Sequence, residues 1–584
     1  MIQSKITRNK NLRIIIKSFL SVSLIGIISI SSFYIYTFSD FITKMNSYFV
    51  NEINLDPDKD FMYSDPFILL TTAWNFETIT ELFNIPRNIT GDGWDFYCHM
   101  DVEFDYNPST YGIVNESTYL NVVNNNPFNI SHPANKILRW KNTGHTVSYS
   151  SHTLLGEAFR YIVALRENNY TELERTREQI LNVTKGLSFL SEVTENGCMA
   201  RMAMPDTPIS RQFMLSEIFV EDYKGNHLFT KKIYKKDGKN YTYYLETGTS
   251  IDLYMAVLTA FGVIYTFVND AEIREIIQKT VDRMLNYYLK TGWKFVDFDG
   301  KTHSAGAEAI TGMPAVDPMY NILFLRVGAT INPSKWKMIY EKYVYDRIFV
   351  KKVGKHTNLG ISAIFNWIGG YFNVHLHSLC ASILTLLEDD IHLKSIYFEN
   401  FLKPVHEVNK YHRNPWYDGL YLLASGVYDF SKYENLINPP NKRLDYSWNY
   451  YINRSIGDSL MRFALRKYPY RDFPHANGLD SYNDDRFSPI PNAPYPNVKI
   501  LDWREIVDYN NPIQKSIGNM VPINQMWNLP IPTDWHDSST WMWENFPFST
   551  NRGEGGRGTV GLIPGSYTSP YWIARYLNLD CVKI

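Results

Sequence analysis

The sequence predicts a mainly α-helical protein: an (α/α) toroid of inner and outer helix pairs with a β-hairpin insertion and an irregular C-terminal segment, preceded by one transmembrane helix. Three observations predict it. From about Asn142 onward, segments that are apolar all round alternate with segments that are charged along one side. A stretch with a two-residue period turns at Asp237-Gly238. Near the N-terminus, no charged residue occurs from Ser18 to Phe38.

That uncharged run is long enough to cross a bilayer, which takes about 20 apolar residues wound as a helix so that every backbone polar group is satisfied internally. Lys5, Arg8, Lys10, Arg13 and Lys17 precede it, and Asp40 and Glu52 follow. Positive charge stays on the cytoplasmic side, so residues 1–17 are expected to be a cytoplasmic tail and everything after Asp40 extracytoplasmic. A cleaved signal peptide has a shorter apolar core, about 7–15 residues, and a small-residue cleavage site that this sequence lacks. Sequons at Asn88, Asn115, Asn129, Asn169, Asn182, Asn240 and Asn453 accord with export.

Residues 39–141 are polar and Asn-rich, with Pro57, Pro66, Pro86, Pro108 and Pro127 as breakers, and are read as a stalk with loops and short elements. The toroid is expected over residues 142–468. Its buried helices are His152 to Leu165, Ile251 to Val268, Met319 to Val327, Tyr371 to Leu387 and Trp416 to Phe430. Each precedes an amphipathic partner: Glu172 to Ser191, Ala271 to Lys290, Pro333 to Val350, Leu393 to Lys410 and Tyr446 to Lys467. A helix apolar on every side must be covered on every side, whereas an amphipathic one lies at the surface. A sixth pair is expected from the N-terminal part or from Tyr567 to Leu577. Cap chemistry supports the joints: Thr171 to Glu174 reads as a capping box, Asn269 as a cap, Asp317-Pro318 and Asn332-Pro333 as helix starts, and Gly292 as a helix stop.

Phe229 to Leu245 alternates around Asp237-Gly238, the pattern of a β-hairpin, within an insertion near 198–247. Residues 469–584 are rich in Pro, Asn, Asp, Trp and Gly. So long an irregular stretch is expected to pack on the toroid or serve its site.

Composition narrows the function. The 584 residues are 45% hydrophobic and 20% charged, as in a folded protein with a large core. A net charge of −2, with no basic stripe interleaved with aromatics, excludes nucleic acid as the expected partner. Cys98, Cys198, Cys380 and Cys581 make no CxxC pair and so no structural zinc pattern; a bridge between Cys98 and Cys198 stays open. Aromatics make up 15% of the chain and many fall in loops, as in sugar-binding clefts, although large helical cores use them too.

Four blocks, Gly186-Leu-Ser-Phe-Leu-Ser-Glu-Val-Thr194, Gly248-Thr-Ser-Ile-Asp252, Gly292-Trp-Lys-Phe-Val-Asp-Phe-Asp-Gly300 and Pro564-Gly-Ser-Tyr-Thr-Ser-Pro-Tyr-Trp-Ile-Ala-Arg575, carry a family resemblance together with the helix alternation. The chain from Asn142 on resembles an uncharacterised branch of the (α/α)-toroid glycoside hydrolases and polysaccharide lyases. The resemblance implies an enzyme acting on extracytoplasmic glycan, by hydrolysis or as a uronate lyase or epimerase, without a cofactor. The alternative is a non-catalytic glycan-binding or structural surface protein on the same scaffold. Type II membrane mannosidases share the anchor-plus-toroid plan, but their acidic residues find no match on these inner helices.

Hydrolysis of a glycosidic bond needs two facing carboxyl groups, and Asp252 with Asp418 or Glu246 is the candidate pair. Against this, Thr249-Ser-Ile-Asp252 also reads as a capping box, and Asp418 as part of a first helical turn. Elimination or epimerisation needs a base beside a uronate carboxylate and a group that neutralises that carboxylate. His145, Tyr149 and His152 lead into the first inner helix, Tyr254 lies early in the second, and Arg201 and Arg211 are candidates for binding an acidic sugar. Trp541 and Trp543 offer faces for stacking on sugar rings, and the glycines from Arg552 to Gly558 fail as a phosphate loop, since no Lys-Ser/Thr follows. His375-Leu-His377 suggests a metal, but residues two apart on a helix point to different sides, so no metal site is expected.

Overall fold

The computed structural model describes residues 56–86, 98–105, 125–208 except 142, 210–212, 229–297 except 247, 317–346, 372–466 except 411, 440 and 441, short pieces between 500 and 527, and 560–584 except 562. The uncharged run Ser18 to Phe38 lies outside them. Among the described residues, no helix is long and apolar enough to cross a membrane.

The protein is mainly helical with small sheets. Its principal helices are α1 (Pro66–Ile79), α2 (Thr146–Arg166), α3 (Tyr170–Glu192), α4 (Ile251–Phe267), α5 (Ala271–Lys290), α6 (Asp317–Ile331), α7 (Pro333–Asp346), α8 (Phe372–Leu387), α9 (Ile391–Tyr397), α10 (Lys403–Asn409), α11 (Pro415–Ser425), α12 (Asn449–Arg466) and α13 (Gly565–Tyr576). The apolar helices pack in chain order, α2 on α4, α4 on α6, α6 on α8, α8 on α11 and α11 on α13, and α13 packs back on α2. The first five are each backed by a neighbour that is more polar: α3 on α2, α5 on α4, α7 on α6, α10 on α8 and α12 on α11. Helix α1 lies on α12 and α13.

Three helices depart from expectation. Residues 66–79, read as part of an irregular stalk, form α1, because Asp65 caps the Phe67 and Ile68 N–H groups and Pro66 sits in the first turn, where its missing N–H costs nothing. The expected helix from Leu393 to Lys410 is divided by a π-helical turn over Phe398–Leu402. Pro404, which cannot donate to the preceding turn, follows at the start of α10. Helix α11 stops at Ser425 rather than Phe430, since Gly426 turns extended and pairs with Arg443. The caps also shift by a residue or two: Asn169 and Asp270, not Thr171 and Asn269, accept the first-turn N–H bonds of α3 and α5.

Strands β4 (Phe229–Lys236) and β5 (Lys239–Glu246) form the expected hairpin, and β3 (Met202–Pro205) pairs with the other edge of β5. Asp237 and Gly238 have φ of 51° and 75°, the two left-handed positions of a type I′ turn. A second small sheet joins β1 (Asp101–Phe104) to β2 (Ile137–Lys141) and to a two-residue strand, Val560–Gly561. All four cysteines are buried.

Between α1, α2, α3 and α13 lies a buried charge network. Arg160 of α2 is 3.1 Å from Glu77, 2.9 Å from Glu157 and 2.6 Å from Glu172, while Glu77 also accepts the Trp572 indole N–H at 2.9 Å. Burial and the adjacent Glu77 push the Glu157 carboxyl well above its ordinary value near 4.5, against the opposing pull of Arg160. The folded chain therefore keeps the Glu157 proton at pH values where the unfolded chain has lost it, so this residue's contribution to stability falls as pH rises above about 4.5. Glu157→Gln keeps a neutral hydrogen-bonding group and removes the titration. Its urea midpoint is expected to rise steadily relative to the parent as pH increases through that window; parallel midpoints at all pH values would show that Glu157 does not hold the proton.

Candidate functional site

Several apolar helices bring their N-terminal turns to one side of the protein. Arg201 ties the approach to α2 to the approach to α4, donating to the Gly144 carbonyl at 2.8 Å, the Gly248 carbonyl at 2.6 Å and the Ser250 hydroxyl at 3.1 Å. His152, in the second turn of α2, meets His375 of α8 at 4.9 Å and Trp416 of α11 at 5.8 Å between ring centroids. Its carbonyl accepts from Ser569 of α13 at 3.2 Å.

Along α2, positions 145, 149 and 152 fall on one face, because steps of four and three residues return to the same side of a helix. Exposure falls along this row: His145 is exposed, Tyr149 half-buried and His152 buried. The His145 and Tyr149 rings lie 5.7 Å apart. Burial, together with the negative charge of Asp101, raises the Tyr149 pKa, so the phenol stays protonated. Burial lowers His152 to about 3 and holds His375 well below the usual imidazole range, so both rings are neutral near pH 7. Neither ring nitrogen of His152, nor the Trp416 indole N–H, nor the Thr146 and Ser148 hydroxyls meets a hydrogen-bond partner, although all are buried. His377 faces Tyr320 at 5.9 Å, on a different side of α8 from His375.

The Ser250 hydroxyl donates to the Asp252 carboxylate. No side-chain cap bond forms at the start of α4, so the capping-box reading of Asp252 is overturned. Asp252 is only partly buried and lies beside Arg201 and the approach to α2 through Ser250.

Other candidates lie elsewhere. Asp418 is buried against more peripheral helices, accepting from Ser455 of α12 at 3.1 Å with His406 of α10 at 3.6 Å, and burial raises its pKa. It packs away from Asp252, so of the two pairings expected for Asp252 the one with Asp418 is not formed. Glu246 is buried at the end of β5, where its carbonyl accepts the Arg201 N–H at 3.0 Å. The Arg201 guanidinium is 5% exposed and occupied by two carbonyls and a hydroxyl, which makes it a brace rather than a carboxylate receptor. Arg211 is exposed and paired with Asp206 at 2.6 Å. Tyr254 turns toward α5, donating to the Gly197 carbonyl at 3.3 Å and packing on Phe295 at 5.0 Å. Trp541 and Trp543 lie outside the described residues.

Sequence reasoning missed three contributors. Asp101 lies in a region read as irregular, and its influence on Tyr149 depends on β1 folding back beside α2. Asp297 accepts the Gly248 N–H at 2.5 Å and so holds the turn before α4. His375 was weighed only as a metal ligand, and nothing local in the sequence pairs it with His152. Comparison of the chain with protein-family models, with curated proteins and with solved structures gives no match.

Proposed function

We propose that the chain is a membrane-anchored (α/α)-toroid enzyme that acts on extracytoplasmic, uronate-containing glycan by proton transfer, as a lyase or epimerase, rather than as a hydrolase. Helices α2, α4, α6, α8, α11 and α13 are its inner ring, and their packing in chain order, with α13 returning to α2, supports the toroid. Residues 18–38 are its anchor.

The observation that carries the chemistry is the row His145, Tyr149, His152, which descends from solvent into the protein at the gathered helix N-termini. Exposed His145 takes the proton from C5 of the uronate, and protonated Tyr149 delivers its own to the glycosidic oxygen as the C4–O bond breaks and the C4–C5 double bond forms. Solvent then carries the proton from the imidazole back to the phenolate. Helix N-termini carry partial positive charge, which favours an anionic sugar where Arg201 cannot bind it. Separation of Asp252 from Asp418 argues against a hydrolase, which needs facing carboxyl groups.

The test is turnover of acidic polysaccharides by the full-length chain, read as unsaturated uronate and as solvent deuterium entering at C5. Tyr149→Phe and His145→Ala are each expected to lower the rate by ~10²–10⁴-fold, the usual weight of one general acid or base. Asp252→Asn should leave most of it. New reducing ends without unsaturation, lost in Asp252→Asn, would establish hydrolysis instead. Glycan binding with no product would favour the binding-protein reading, which draws on the close packing of His152, His375 and Trp416 beneath the row.

A further inference from the structure

Helix α1 breaks the rule that a surface helix turns a polar face outward. Its inward side buries Leu69, Ala73, Phe76 and Ile79, yet its outward side leaves Phe67 at 67%, Ile68 at 37% and Trp74 at 40% exposure. Tyr63, at 70%, and Leu82, at 37%, extend the patch at either end. Positions 67, 71, 74 and 78 advance by three or four residues along α1, so they form one stripe with Thr71 and Thr78 beside the large side chains; Tyr63 precedes the helix and Leu82 lies in the π-helical turn after it. From Pro66 to Thr80 the one charged residue is Glu77, and it is buried on Arg160 and Trp572. Surface helices elsewhere carry charge on their outward sides: α5 exposes Glu275 and Lys279, and α7 exposes Lys337 and Glu341 beside Met338 and Tyr345.

We infer that this stripe rests on the headgroup layer of the phospholipid bilayer, so that the protein is held to the membrane surface by α1 as well as by its anchor. The inference rests on the reading of residues 18–38 as membrane-spanning. Residues 39–55 reach at most ~60 Å even when fully extended, which keeps α1 close to the lipid. Trp, Tyr and Phe are the side chains that favour the interface, where an apolar body and a polar edge are both accommodated. The side chains of the stripe itself carry no charge, and the cations beside it stand at its two ends, Arg454 over Tyr63 at 4.2 Å and Arg175 donating to Thr78 at 3.1 Å. Tethering also favours lipid over a second copy of the chain, because the bilayer is present at high effective concentration while another copy must be met by diffusion.

The test uses the full-length chain in phosphatidylcholine vesicles, with Phe67→Cys, Trp74→Cys or, as a control, Lys279→Cys carrying a thiol-linked fluorophore. All three sites are exposed and the native cysteines are buried, so folding and background labelling are little affected. The expected result is several-fold weaker quenching by iodide at 67 and 74 than at 279, with quenching at 67 and 74 by lipids that carry a quencher near the headgroup. If the chain floats with the vesicles but 67 and 74 are as open to iodide as 279, the stripe is not on the membrane and the anchor stands. If the chain does not float, the anchor reading fails and the inference fails with it. Protection from iodide without lipid quenching, accompanied by 67-to-67 crosslinking that fades on dilution, would assign the stripe to a second copy and overturn the inference.

Discussion

Replacing Arg160 by Met is expected to destabilise the protein by about 3–5 kcal/mol, the usual cost of removing one partner from a buried ionic cluster. Arg160 is fully buried, and its guanidinium holds Glu77, Glu157 and Glu172 together, with Arg175 reaching Glu172 only at 3.8 Å. Met matches the stem in length and apolar character, so the loss is electrostatic more than steric. With Met in place, the buried Glu77 carboxyl loses its cation and the half-buried Glu172 keeps only Arg175. Urea denaturation should show a lower midpoint with an unchanged slope. The deficit should shrink as pH falls toward the carboxyl range, since protonation then removes the stranded charge. A variant that unfolds at the parent midpoint would mean that solvent reaches this cluster.

A loss of similar size is expected from Asp458→Ala. Asp458 of α12 is completely buried and accepts from Arg413 at 2.6 Å, Arg462 at 2.8 Å and the backbone N–H of Met62 at 2.7 Å. It thereby joins the chain ahead of α1 to α12 and to the turn leading into α11, where Arg413 holds a left-handed φ of 50°. Alanine removes the carboxylate that both buried guanidinium groups share and the acceptor of the Met62 N–H, at about 3–5 kcal/mol for the broken ionic contacts. Asp458→Asn retains an acceptor for Met62 and should recover part of that loss. Equal losses in the two variants would show that charge alone is what Asp458 contributes, and a parent-like Asp458→Asn that charge is not needed.

Much of the helical plan was legible because the buried segments are apolar over more than three turns and their neighbours are charged along one side. The hairpin was legible for a sharper reason, since Asp237-Gly238 supplies both left-handed residues its turn requires. Pro66 was misread as a breaker although Asp65 precedes it, the same capper-proline signature that marked Asn332-Pro333 correctly. For the site, the limits are geometric. A helix that is apolar all round does not announce which way its rare polar residues point, so Asp418 seemed available to the site until Ser455 and His406 were found beside it. The bonds that occupy Arg201 go to backbone carbonyls and one hydroxyl, and carbonyl positions leave no trace in a sequence.

The contacts between α1 and α13 bear on how the protein is made. The Trp572 indole bonds to Glu77 across 495 positions of sequence, and the Tyr567 hydroxyl to the Leu69 carbonyl across 498. A ribosome adding 5–20 residues per second needs roughly 25–100 s to cover that distance. During that interval α1 has been synthesised but its covering helix has not, so Leu69, Phe76 and Ile79 have no permanent partner there. Nascent chains stalled anywhere before residue 565 should therefore be held by chaperones or degraded, and release from the ribosome, not the appearance of the first helices, should mark the moment at which the protein becomes resistant to proteolysis.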